Sequence, residues 1–190
     1  MHPMADLSPL HPERVRPLRR AEYERLVELG VFEDERLELL RGALVTMSPQ
    51  GGLHADTVAR IGEALTLALA GRARVRQHSP IAVADDSEPE PDVAVVPLGG
   101  SRLEVPGTAF LVVEVADSSL SKDRNVKAAL YAAAGIPEYW LVDLNGHAVE
   151  VHRAPGSAGC GDVTRLAASG ATLRLAAFAD VALSLDEMFG

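Results

Sequence analysis

Cysteine is nearly missing: Cys160 stands alone among 190 residues. That excludes a disulfide framework and a cysteine-built zinc site, and it fits a reducing compartment. Aromatic residues make up 4% of the chain, too few for a platform on which successive bases of a single strand would stack. No apolar run approaches the roughly eighteen residues of a membrane-spanning helix. The opening stretch, MHPMADLSPLHPERVRPLRR, holds no apolar segment of the kind a secretory signal carries. The expectation is a cytoplasmic protein with no membrane partner. Positive charge is also short, since 18 Lys and Arg face 27 Asp and Glu for a formal net charge of −9. Such a balance argues against a passive binder that hugs a nucleic-acid backbone through a basic surface.

What the chain does have is an ordinary globular composition, 47% hydrophobic and 24% charged, which rules out wholesale disorder. A chain of this length buries about two-thirds of its unfolded surface. Residues 1–18 contain four prolines and little periodicity, and read as an extended arm. Residues 19–190 show neither an internal repeat nor a linker, and read as one domain.

Along that domain the apolar spacing predicts a helix over 19–32 stopped near Gly30, then two short strands over 37–40 and 43–47 joined by Arg41-Gly42. The joining pair is not the favoured Asn-Gly. A long helix follows over 54–70, with Val58, Ile61, Leu65 and Leu69 on one face. Strands are expected over 72–76 (with a basic face of Arg72, Arg74 and Arg76), 81–83, 92–96 and 110–115. A helix over 125–134 and strands over 138–142 and 149–152 come next. The Gly/Ala-rich stretch 158–170 reads as a loop before a last strand near Leu173 and a short helix from Ser184. Helices alternating with strands in this order predict an α/β (mixed α+β) fold, a central mixed β-sheet flanked by helices.

Glu114 is the most informative single residue. It lies inside an apolar run, where Phe110, Val112 and Glu114 share one face by period-two alternation. A carboxylate there is costly unless paired, protonated or bound to a cation. Asp92 follows Pro91 and opens a second buried-looking strand. If the two strands are neighbours, both acids address one spot. Converging carboxylates repel, and a divalent cation relieves them. Oxygen donors without cysteine favour Mg²⁺ or Mn²⁺ over zinc.

Lys127 follows on the predicted helix, where Val126, Ala129, Leu130 and Ala133 form a core stripe and Arg124, Lys127 and Tyr131 an adjacent polar one. Asp123 and Lys127 also make a favourable surface pair four residues apart. His54, at a helix start, reads as a polar residue of the second rank. Ser119–Lys122 matches Ser-x-x-Lys, but the companion motifs of acyl transfer are missing.

Together these residues resemble a known family. Pro91-Asp92, the run through Glu114, Asp123 to Tyr131, and Gly135-Ile-Pro-Glu-Tyr-Trp-Leu-Val-Asp143 are similar to motifs of the Uma2 family of endonucleases, within the PD-(D/E)xK restriction-endonuclease-like superfamily. Arg36 to Gly42 resembles its first hairpin, and Met47-Ser-Pro49 with His54 the segment after it. The likeness covers roughly residues 19–189. It implies a metal-dependent nuclease core with a DNA substrate, Asp92 and Glu114 as metal ligands and Glu38 as a further acid. The superfamily lysine should stand at Ala116; the resemblance implies that it has migrated to Lys127, with Lys122 as its rival. Ala43 replaces an acid often found after the hairpin glycine.

The leading expectation is therefore a Mg²⁺- or Mn²⁺-dependent DNA endonuclease acting as a homodimer, since closed two-fold pairs suit cutting of two strands. The alternative is a catalytically inactive nuclease-fold module that binds nucleic acid or a protein partner. Net acidity and Ala116 favour that alternative. A small-molecule hydrolase built on the same metal site is the third reading.

Overall fold

A computed structural model describes residues 16–101 and 104–190 of the chain. The arm expected over 1–18 therefore lies, up to residue 15, outside the described residues. The elements run α1 (Arg20–Glu28), β1 (Leu37–Leu40), β2 (Ala43–Thr46), α2 (Gly52–Ala68), β3 (Arg74–Gln77), β4 (Val93–Val96) and β5 (Leu111–Ala116). A continuous helical segment follows, made of α3 (Leu120–Lys122), a π-helical turn (Asp123–Lys127) and α4 (Ala128–Ala133). Then come β6 (Glu138–Asp143), β7 (Ala148–Gly156), β8 (Gly159–Ala167), β9 (Thr172–Leu175), β10 (Phe178–Ser184) and α5 (Leu185–Phe189).

Six strands form the central sheet in the order β3-β4-β5-β6-β7-β8. Every neighbouring pair is antiparallel except β5 with β6. A parallel pair needs a crossover, and the segment α3–π turn–α4 supplies it. The sheet is thus mixed and flanked by helices, as the composition and spacing predict.

Alternation along the strands separates two cores. Val93, Val95, Val113, Val115, Trp140 and Val142 pack against Val58, Ile61 and Leu65 of α2 and against β9, β10 and α5. On the opposite face Ala94, Val112, Ala116, Tyr139 and Leu141 pack against Ala128 and Tyr131 of the crossover helix. Glu114 has the parity of Val112 and Ala116, so it belongs to the second face. Phe110 does not share it: it precedes β5 and packs edge-on against Phe178, ring centroids 5.3 Å apart, on the α2 side.

The β1–β2 hairpin turns through Arg41 and Gly42, with φ of 50° and 76°. Positive φ at both central positions is the type I′ requirement, so an arginine occupies the place that asparagine usually fills. Glycine is needed at 42 for a second reason. A Cβ there would stand 2.2 Å from Pro17 Cβ, because the chain before α1 crosses the turn and Leu18 N donates to Gly42 O at 2.9 Å.

Three local expectations are corrected. Residues 81–83 form no strand: Ile81 N donates to Pro89 O, Ala82 N to Pro106 O and Val83 N to Ser87 O. The 87–89 segment and Pro106 on the opposite side share those bonds, so no continuous ladder forms. The stretch read as a loop over 158–170 is largely β8, paired with β7 from Gly159 to Ala167. It is an edge strand exposed along most of its length, so it carries no apolar alternation to read. Lastly, the basic face is shorter than expected, since β3 begins at Arg74 and Arg72 instead binds Asp180 at 2.8 Å and lies over the Phe178 ring.

Candidate active site

The β4–β5 register pairs Val93 with Val113; extended by one residue it sets Asp92 across from Glu114. Both side chains line one cleft of about 80 Å³, together with Gln50, His54, Ser119, Lys122, Asp123 and Lys127. The sheet supplies the acids, the crossover helix the lysines, and the β2–α2 junction the histidine.

Glu38 enters from β1, whose backbone bridges to Glu88 beside the sheet. It is fully buried and accepts two ammonium groups, Lys122 Nζ on Oε1 at 2.7 Å and Lys127 Nζ on Oε2 at 2.8 Å. The Glu90 backbone N–H adds a long contact at 3.4 Å. Burial by itself would raise the Glu38 carboxyl, but Lys127 and Lys122 outweigh it and hold Glu38 below its ordinary value.

Lys127 also reaches Glu114, its Nζ donating to Oε1 at 2.9 Å. The same oxygen accepts the Tyr131 hydroxyl at 2.7 Å. Burial pushes Glu114 well above the ordinary carboxylate range; Lys127 opposes that rise, while Asp123, Asp92 and Glu38 add to it. Burial would weaken the Lys127 ammonium, yet Glu114, Glu38 and Asp123 more than compensate and raise it. Lys127 therefore stays protonated, while burial favours the protonated form of Glu114.

Asp92 is held differently. Its Oδ2 accepts the Val115 backbone N–H at 2.8 Å, which ties it to the strand that carries Glu114. His54 Nε2 stands 3.3 Å from Oδ2, and His78 Nδ1 3.6 Å from Oδ1. The hydrogen bond to Asp92 raises His54, against the opposing effect of burial.

The π turn explains how two lysines meet one carboxylate. Lys122 and Lys127 are five residues apart, which in an α-helix would place them about 140° from each other around the axis. Closing the turn with a bond from Ala128 N to Asp123 O brings residues five apart into line. Sequence spacing sets Val126, Ala129, Leu130 and Ala133 against the core. The structure buries Leu130 of these, leaves Val126 and Ala129 half-buried and Ala133 exposed, and buries Asp123, Lys127, Ala128, Tyr131 and Ala132 as well. The polar stripe faces inward because a buried glutamate waits there.

The structure thus brings Asp92, Glu114, Lys122 and Lys127 to one cleft, with Glu38 buried beside it and bound to both lysines. The reading of residues missed Asp123 and Tyr131 as members. Their positions four residues either side of Lys127 were a usable signal once Lys127 was assigned to the site. Asp123 is no surface partner of Lys127: it is buried and accepts the Ser119 hydroxyl at 2.5 Å.

The acids and lysines of the cleft are unequal in number. Glu90, Asp92, Glu114, Asp117 and Asp123 line it with Lys122 and Lys127, and Glu38 binds both lysines, so six carboxylates oppose two ammonium groups, an excess of four negative charges when all are ionised. Among the described residues, no three His, Cys, Asp or Glu side chains already surround one point as a metal cluster. Hard oxygen donors with that excess suit Mg²⁺ in chemistry and charge, as an ion that binds through one or two carboxylates and keeps several waters.

The fold is a mixed α+β one, a central mixed sheet flanked by helices, with the acid- and lysine-lined cleft at the sheet's crossover. The chain belongs to the Uma2 family, described as “Putative restriction endonuclease”, whose model matches residues 20–186. A solved structure with the same fold is described as “a putative nuclease belonging to DUF820” from Anabaena variabilis. It is 17% identical, covers 91% of this chain and 98% of its own, and superposes with a TM-score of 0.74. No curated protein matches the chain.

Proposed function

We propose that the protein is a divalent-metal-dependent endonuclease that hydrolyses phosphodiester bonds of DNA, with Asp92 and Glu114 as metal ligands, Glu38 as a supporting acid and Lys127 as the site lysine. The observation that carries this reading is the Lys127 ammonium, 3% exposed, clamped between Glu38 and Glu114 in a cleft that also holds Asp92. Family membership supports a nuclease; the charge excess supports the cation.

Mg²⁺ or Mn²⁺ would sit on Asp92 and Glu114, where, once bound, it supplies Lewis-acid polarisation and an acidified water. The chain's own groups do the rest. Lys127 holds a fixed positive charge at the carboxylates and stabilises negative charge developing on the phosphate oxygens. Glu38 keeps that ammonium protonated and in place. Val115 N–H and His54 fix the orientation of Asp92. Lys122, at 31% exposure the more open of the two lysines, meets a phosphate at the cleft mouth. We further propose that two copies act together, one per strand.

A plasmid-nicking assay in Mg²⁺, Mn²⁺ and EDTA tests the reading. Cleavage that needs the metal and is lost in Lys127→Met supports it; wild-type protein of confirmed purity that never nicks sinks it. The second reading, a non-catalytic module binding nucleic acid or protein, is favoured by the net charge of −9, and the same null assay with retained DNA binding would establish it. Light scattering at tens of micromolar decides the dimer.

A further inference from the structure

The π turn begins at a residue that no role so far accounts for. Asp123 is 2% exposed and lines the cleft. Its Oδ2 is taken by Ser119, whereas its Oδ1 is buried and has no hydrogen-bond partner. A buried acceptor left unpaired costs about 1–3 kcal/mol, and more when charged. Such atoms in native proteins are generally met by ordered water or an ion. Around this oxygen, Lys127 is already committed to Glu38 and Glu114, and Lys122 to Glu38. Neither ammonium donates to it.

Helical geometry makes the placement costly as well as odd. A π turn is rare and occurs mainly at functional positions, and this one puts Asp123 on the buried side of the helix. Among neighbouring acids Asp123 has the largest effect in raising Glu114, so the two carboxylates share one electrostatic environment. A fold that only needed a helix here would gain by an uncharged residue at 123.

We infer that Asp123 is a positioning residue of the cation site: its Oδ1 accepts a hydrogen bond from a water bound to the ion held by Asp92 and Glu114. The contact runs through water because no three carboxylates converge directly among the described residues. Ser119, by holding Oδ2, turns Oδ1 toward the cleft. This inference rests on the metal-dependent reading above, and its readout is binding of the metal alone.

Mn²⁺ titration calorimetry on the full-length protein provides the test. Asp123→Asn keeps the size and an acceptor for Ser119 but puts a donor or a neutral oxygen where the charge stood. Its affinity for Mn²⁺ should fall by about 10–100-fold, the usual cost of losing an outer-shell partner. Ser119→Ala, which leaves the Asp123 carboxylate, should lose about threefold or less. An Asp123→Asn variant that binds Mn²⁺ within twofold of wild type overturns the inference, as does a wild type that binds no Mn²⁺. If Asp123→Asn fails to fold, a Mn²⁺-soaked wild-type crystal answers instead. A metal-bound water on Oδ1 is expected there, and Oδ1 bonded elsewhere overturns the proposal. Wild type that binds Mn²⁺ yet never nicks DNA would sink the nuclease reading alone and leave Asp123 standing.

Discussion

Among the carboxylates buried in strands of the central sheet, Glu114 on β5 and Glu138 on β6 have different surroundings. Glu138 is saturated. Arg153 and the Trp140 indole donate to Oε1, the indole at 3.1 Å, and Ala176 N donates to Oε2 at 2.7 Å. Those bonds pin β7 and the β9–β10 turn to the start of β6. Glu114 meets a lysine and a tyrosine on one oxygen only, in a cleft lined by four further acids, Glu90, Asp92, Asp117 and Asp123. Burial of a glutamate is therefore no mark of function by itself. Glu138 has both oxygens answered by hydrogen-bond donors, whereas Glu114 is answered on one side and sits among excess like charge.

The largest expected effects break the comparison at its functional end. Glu114→Gln and Lys127→Met should each lower the nicking rate by about 10²–10³-fold, the range for losing one preorganised charged group. Glu138→Gln, assayed on folded protein, should nick within about threefold of wild type. Equal loss in all three would dissolve the distinction between the two glutamates.

Stability should rank them the other way. Glu138→Ala leaves the Trp140 indole and the Ala176 N–H without their acceptor and should cost about 2–4 kcal/mol, read as a lower urea midpoint at unchanged slope. A cost below about 1 kcal/mol would mean that the corner is held by packing alone.

A third buried acid, Glu88, lies between these cases and sharpens the contrast through pH. Its Oε2 has no hydrogen-bond partner, and the nearest cation, Arg20 NH1, stands 4.0 Å away. Burial, with Glu24 beside it, pushes its carboxyl up to about 7. A raised carboxyl binds its proton more tightly folded than unfolded, so it favours the native state below the unfolded value near 4.5. That contribution is lost as pH rises through about 7. Wild type should thus lose on the order of 3 kcal/mol between pH 5 and pH 8 that Glu88→Gln does not lose. Parallel stability curves for the two proteins would refute this.

At the surface the effects fade. Arg72→Ala removes an exposed pair with Asp180 and a contact with the Phe178 ring, and should cost about 1 kcal/mol or less. Thermal melts in low and high salt would separate the charge from the ring contact.

Much of the architecture was legible because apolar period reports burial. The β1–β2 hairpin, α2, β4, β5 and β6 all carry clear alternation or helical spacing. Two strands escaped: β8 is an exposed edge with no apolar face, whose register comes from β7, and β10 offers only Val181 and Leu183 as a short apolar alternation and pairs with β9 across an irregular register. At the site, Asp92 and Glu114 stood out as acids in apolar runs. Asp123 did not, because a helix position four residues before a lysine has an ordinary surface explanation.

The sequence by itself determined which strands are buried, that two of them carry acids, and which family the chain resembles. Only the tertiary structure decided which face of the crossover helix turns inward and which carboxylates its lysines meet. The physical reason is range. Apolar burial is encoded residue by residue in local period, but an ion pair such as Lys122–Glu38, 84 residues apart, has no local signature. Each partner alone reads as a charged residue that prefers water, and only the completed fold makes the pairing cheaper than solvation.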